Sequence, residues 1–163
     1  MSQKEKFKDK KKKSLSLLIS KLILELIKSN SNIKYDPKDP FSQRKIPEIP
    51  IDYYIERIKK YSKLDDSTLV LTLIYCDRIC GLNNLLLQPY NIHRLFISCC
   101  VLAIKFNEDC FYNNDYYAKI GGIDLYEMNH LESFCIEMLN FNLFVKEDIF
   151  KKYINYLENY SKK

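Results

Sequence analysis

Tryptophan is absent from this 163-residue chain, glycine occurs three times and histidine twice. There is no Walker loop, no G-x-S-x-G and no H-E-x-x-H, so the common phosphate-binding, serine-hydrolase and zinc-peptidase signatures are missing. Gly121-Gly122 reads as a turn rather than a phosphate loop. His93 and His130 are far apart and each starts a helical stretch, where capping or packing is a better reading than general-base chemistry. The six cysteines form no C-x-x-C pair. Cys76 and Cys80 lie one helical turn apart and would need His93 or His130 to build a metal site. Five of the six cysteines sit in strongly apolar stretches, as small core residues of a reducing compartment do. Neither a metal nor a cofactor is expected. A basic start followed by LSLLISKLILELI has the outline of a signal peptide, but Lys21 and Glu25 interrupt it and no small-residue cleavage pattern follows. The same stretch falls short of the roughly 20 apolar residues a bilayer span needs. The expectation is a soluble intracellular protein, in nucleus and/or cytoplasm, with no membrane partner.

What is present is a length suited to one domain and a charge confined to one end. The formal charge is +5, and residues 4–13 carry seven lysines against Glu5 and Asp9, which accounts for all of it. Residues 1–13 read as a basic flexible arm. The near-neutral remainder argues against a nucleic-acid partner, because such domains spread basic charge over the fold.

Leu15, Leu18, Ile19, Leu22, Ile23 and Leu26 follow helical spacing, which predicts an amphipathic helix over 14–28. Residues 29–48, with Pro37, Pro40 and Pro47, read as an extended linker. A helix over 51–62 follows. Asp65 or Asp66 is then expected to cap a helix over 67–80, with Gly81 as its left-handed stop. A central helix starts with Asn91 as N-cap and ends near Glu108. A short helix over 113–120 is closed by Gly121-Gly122. Asp124 and Glu127 have capping-box spacing ahead of a helix to about residue 140, and a tail helix covers 147–160. Every glycine and proline falls between these helices or at their ends, and no period-2 stretch competes. The fold class is all-α, five consecutive helices packed around a buried third one, with an added helix at each end.

From Leu95 to Phe106 only Ser98 and Lys105 interrupt apolar or small residues, so this helix must be covered on all sides. A buried lone lysine there would cost several kcal/mol, roughly what breaking a buried pair costs, so Lys105 is expected to reach water, a carboxylate or a partner. Arg57, Asp77 and Glu132 are the other charges embedded in apolar helical sequence. One reading is two internal ion pairs, favoured for Arg57 with Asp77. The other is that Lys105 and Glu132 meet at one surface and offer a charge-assisted pair to a partner helix. Periodicity alone leaves both open.

The segments IDYYIERIKKYS, LTLIYCDRI, NIHRLFISCCVLAIKFNED, FYNNDYYAKIGGI and MNHLESFCIEMLNFNLFV, in this order, resemble a cyclin box, and within that family the P/U-type, phosphate-regulon-like cyclins. The resemblance covers about residues 49–156. It implies a five-helix cyclin box over 49–145, a C-terminal helix over 146–163, and a regulatory subunit that does no chemistry itself but binds and activates a cyclin-dependent protein kinase as a heterodimer. It also implies that Lys105 and Glu132 contact the kinase near its mobile C-helix, and that Arg57 and Asp77 form an internal ion pair. A cyclin-fold transcription or nucleic-acid adaptor and a non-activating helical scaffold are the alternatives.

Overall fold

The computed structural model describes residues 14–163, so the lysine arm expected over 1–13 lies outside the described residues. Seven α-helices follow one another: α1 (Leu15–Ser29), α2 (Ile51–Ser62), α3 (Asp66–Asn83), α4 (Ile92–Asn107), α5 (Asn114–Gly121), α6 (Leu125–Met138) and α7 (Glu147–Ser161). No strand occurs among the described residues.

The central element is α4. Of the thirteen positions from Ile92 to Ile104, all but Arg94 are buried. An apolar helix of this kind loses its stabilisation unless neighbours cover its whole circumference. Here α2, α3, α5 and α6 all pack on it, which completes the five-helix unit, while α1 lies across α2 and α3 and α7 lies across α3 and α1.

Local sequence explains most of the boundaries. Asn113 caps α5 by accepting from the Tyr116 N–H at 3.0 Å, and Asp124 caps α6 by accepting from the Glu127 N–H at 2.7 Å. Gly122, at φ 68°, closes α5 in the left-handed region.

Four local expectations change. Gly81 does not stop α3; it lies within that helix, exposed, with open space around it. The stop is Asn84 at φ 51°, which, like glycine, tolerates the left-handed region. Asn91 stands at the N-cap position of α4, but its side chain makes no capping hydrogen bond. Its side chain instead accepts from the Gln88 N–H at 2.9 Å and donates to Asp39 Oδ2 and Leu86 O, both at 2.8 Å, so it ties the turn before α4 to the strap over residues 30–50. That strap has the irregular backbone expected of it, yet it is anchored. Phe41 is fully buried in the core, and the Gln43 N–H donates to Tyr90 O at 2.9 Å. On α1 Leu18, Ile19 and Ile23 are buried as their spacing predicts and Leu15 and Leu22 pack against the core, but Ser16 and Ser20 are buried beside them and Leu26 is exposed. Ser16 donates to Glu56 of α2, so the contact between these helices includes a polar pair.

Candidate functional site

Lys105 sits in the last turn of α4, where a cation is favoured by the helix dipole, and Glu132 projects from the middle of α6. They meet. The Lys105 ammonium donates to Glu132 Oε1 at 2.8 Å and to Oε2 at 3.1 Å. A third residue completes the arrangement: Asn114, the first residue of α5, donates to Glu132 Oε2 at 2.6 Å and to Asn129 Oδ1 at 2.8 Å. Three helices thus converge on one carboxylate. The side chains of Lys105 and Glu132 are 28% and 15% exposed, so the pair is sheltered enough to be ordered and open enough to be reached from outside. Phe106, next to Lys105 in the chain, is 51% exposed, which sets an uncovered aromatic beside the charged pair.

The surrounding contacts hold the C-terminal end of α4 in place. Asn107 donates to Thr68 Oγ1 at 3.0 Å and to Ser67 Oγ at 3.2 Å, which ties it to the start of α3. Burial pushes the Glu108 carboxyl up, and the charge of Asp65 adds to that.

Sequence reasoning missed Asn114. A signal was present in the Asn-Asn doublet at the start of α5: one asparagine suffices to cap the helix, and the second is free to reach elsewhere.

Arg57 and Asp77 do not pair, contrary to expectation. Asp77 is exposed on α3 and accepts a hydrogen bond from the Tyr153 hydroxyl of α7. Arg57 lies over the ring of Tyr54, 5.2 Å from its centroid. The reason is topological: α2 and α3 are consecutive but share no packing face, and each packs separately on α4.

Four of the six thiols are core residues. Cys76, Cys99, Cys100 and Cys135 are buried on α3, α4 and α6, and all six cysteines are free. Burial pushes the Cys100 thiol up to about 12 and holds Cys99 well above the usual thiol range; Cys99 and Cys135 approach to 3.6 Å between sulfurs. Among the described residues no three His, Cys, Asp or Glu side chains converge as a metal site requires, and no helix is long and apolar enough to cross a membrane. His93 is buried, with Nε2 donating to Ile49 O at 2.7 Å, and His130 is exposed and edge-on to Tyr126 at 4.3 Å between ring centroids. They serve different neighbourhoods.

Comparison with known proteins agrees with this architecture. The family model described as Cyclin matches residues 6–143. Among individual relatives, Cyclin-P3-1 of Oryza sativa subsp. japonica is 39% identical over 129 residues, covering 79% of this chain and 55% of the relative. Cyclin-U4-1 of Arabidopsis thaliana is 42% identical over 113 residues, 69% of this chain and 56% of the relative. PHO85 cyclin-7 of Saccharomyces cerevisiae is 36% identical over 129 residues, 72% of this chain and 45% of the relative. The chain therefore spans about half the length of the curated relatives it matches. With a five-helix unit built around a buried third helix, and a family match over most of its length, the chain belongs to the cyclin family, with P/U-type cyclins among its relatives.

Proposed function

We propose that this chain is the regulatory subunit of a cyclin-dependent serine/threonine protein kinase, which it binds and activates through the surface formed by Lys105, Glu132 and Asn114. The observation that carries the proposal is the partly exposed Lys105–Glu132 pair, held by a third helix and flanked by an uncovered aromatic. Such a pair has donors and acceptors to exchange with a partner's backbone, and charge-assisted hydrogen bonds are the strong ones. The relatives named PHO85 cyclin support a partnered role.

In this mechanism the chain does no phosphoryl transfer. It binds the active pose of the kinase C-helix and activation segment better than the inactive one, and the population shifts by as much as the two affinities differ. A tenfold preference corresponds to about 1.4 kcal/mol. The heterodimer acts inside the cell, in nucleus and/or cytoplasm, in keeping with six free thiols.

The test is recovery of the tagged chain from its own cell extract with kinase activity assayed on the beads, for wild type and for the Lys105→Ala, Glu132→Ala double variant. Kinase and activity recovered with wild type, and lost with a variant of native circular dichroism, is the expected result. Equal recovery and activity with the variant refutes the interface. Recovery of a kinase without activation favours a scaffold.

A further inference from the structure

We propose that the cavity between α1, α3 and α7 binds a single-chain amphiphile whose head carries both an ammonium and an anionic oxygen, as in a lysophospholipid. These three helices pack on one another, and the cavity they leave measures about 520 Å³. Apolar side chains form most of its wall: Leu22, Ile23 and Leu26 of α1, Leu73 of α3, Leu87 of the loop after α3, and Ile92 of α4. A mostly apolar wall with a few polar groups is the usual form of small-molecule sites, which span about 300–1,000 Å³. Leu26 and Leu86, which also line it, are 43% and 48% exposed, so the apolar wall runs out to the surface and meets water uncovered.

The wall is built before any ligand arrives. Asn30 Nδ2 donates to Leu87 O at 3.1 Å, which pins the loop to the end of α1, and Ser29 Oγ donates to Leu26 O at 2.7 Å. On the other side the Tyr153 hydroxyl donates to Asp77, which ties α7 to α3. A site fixed in this way orders little on binding. Its size favours a small molecule over a partner helix, because two helical turns, about 11 Å long and about 10 Å across, would occupy roughly 850 Å³.

Charge sets the head group. Asp77 of α3 and Lys152 of α7 are the charged side chains of the lining, and both are exposed. Among the described residues neither lies in ion-pair range of an opposite charge, so they are not spent on each other. A ligand ammonium has the Asp77 carboxylate to donate to and the Tyr153 and Tyr156 rings in the same lining, while an anionic oxygen has the Lys152 ammonium. A fatty acid would set its carboxylate near Asp77, and a simple alkylamine would set its ammonium near Lys152, so a head of one charge is disfavoured. Neither Lys105 nor any residue of α6 lines the cavity, so occupancy is independent of the proposed kinase contact.

The test is isothermal titration calorimetry of the full chain with twelve-carbon lysophosphatidylcholine, and with dodecanoate and dodecyltrimethylammonium as single-charge heads on a similar tail, all below their critical micelle concentrations. Wild type should bind the zwitterion at one saturable site, about fivefold or more tighter than either control. Asp77→Asn, which keeps an acceptor for Tyr153, should weaken the zwitterion and the cation but not dodecanoate. Lys152→Gln should weaken the zwitterion and dodecanoate but not the cation. This crossed pattern cannot come from unfolding or from general detergent binding, since both side chains are exposed and each variant keeps one of the controls unchanged. Leu26→Trp, which fills the cavity from a half-exposed position, should abolish binding of all three. Equal affinity for the three heads, charge variants without effect, or no saturable binding overturns the proposal. So does binding to vesicles of the two-chain lipid with the same head in preference to the monomeric amphiphile.

Discussion

Removing Glu132 should destabilise the fold more than removing Lys105, although the two are partners. Lys105→Ala leaves the carboxylate with a donor, because Asn114 still reaches Oε2 at 2.6 Å. Glu132→Ala leaves both the ammonium and an amide N–H without their acceptor. The side chains, 28% and 15% exposed, fall between surface pairs, about 0.2–1 kcal/mol, and buried pairs broken by removal of one partner, about 3–5 kcal/mol. We therefore expect a loss of about 1 kcal/mol for Lys105→Ala and about 2 kcal/mol for Glu132→Ala. At roughly 2–4 °C per kcal/mol for a domain of this size, Tm should fall by about 3 °C and about 6 °C. The assay is reversible thermal unfolding followed by circular dichroism for both single variants and the double variant. The double-mutant cycle should return a coupling of about 1 kcal/mol, reduced but not abolished in 1 M salt, because the pair is only partly exposed. A coupling indistinguishable from zero, or a larger loss for Lys105→Ala than for Glu132→Ala, would refute the reasoning.

Other outcomes follow from the core and its titratable groups. Phe41 is fully buried, so Phe41→Ala should cost about 3–5 kcal/mol in denaturant unfolding, whereas a linker free of the core would tolerate the change. Burial holds His93 below its ordinary value, with Arg57 adding to this and the Ile49 carbonyl opposing it. The unfolded chain therefore binds the proton more readily, stability falls as pH drops from 7 through about 6.5, and His93→Gln should show a shallower slope over that range. Glu108, shifted upward, acts in the opposite sense at lower pH, but it is common to both proteins and cancels in the comparison. With a thiol reagent at pH 8, exposed Cys110 should react fast, while Cys80, pushed up to about 12, and the buried Cys76, Cys99, Cys100 and Cys135 should wait for denaturant. Fast labelling of any of the four buried thiols in the native protein contradicts the packing around α4.

The helices were legible in the sequence because the 3.6-residue period and the capping residues are local properties. Asp124 caps α6 through the Glu127 N–H as its spacing requires, and the unbroken apolar run of α4 can only mean a covered helix. Lys105 was legible as a charge in need of a partner for the same reason. What a side chain meets across the fold is a different matter. Gly81 and Asn84 both suit a helix stop, and tertiary contacts chose between them: Asn83 donates to Met138 O at 3.0 Å, which favours carrying α3 through Gly81. Phe41 sits among prolines and polar residues, so its burial depends on a cavity built by distant helices. Arg57 and Asp77 look like a natural pair on consecutive helices, but α4 keeps those helices apart, leaving Asp77 to Tyr153 and Arg57 to the Tyr54 ring. Periodicity determines which residues turn inward; only the order in which helices pack decides which of them touch.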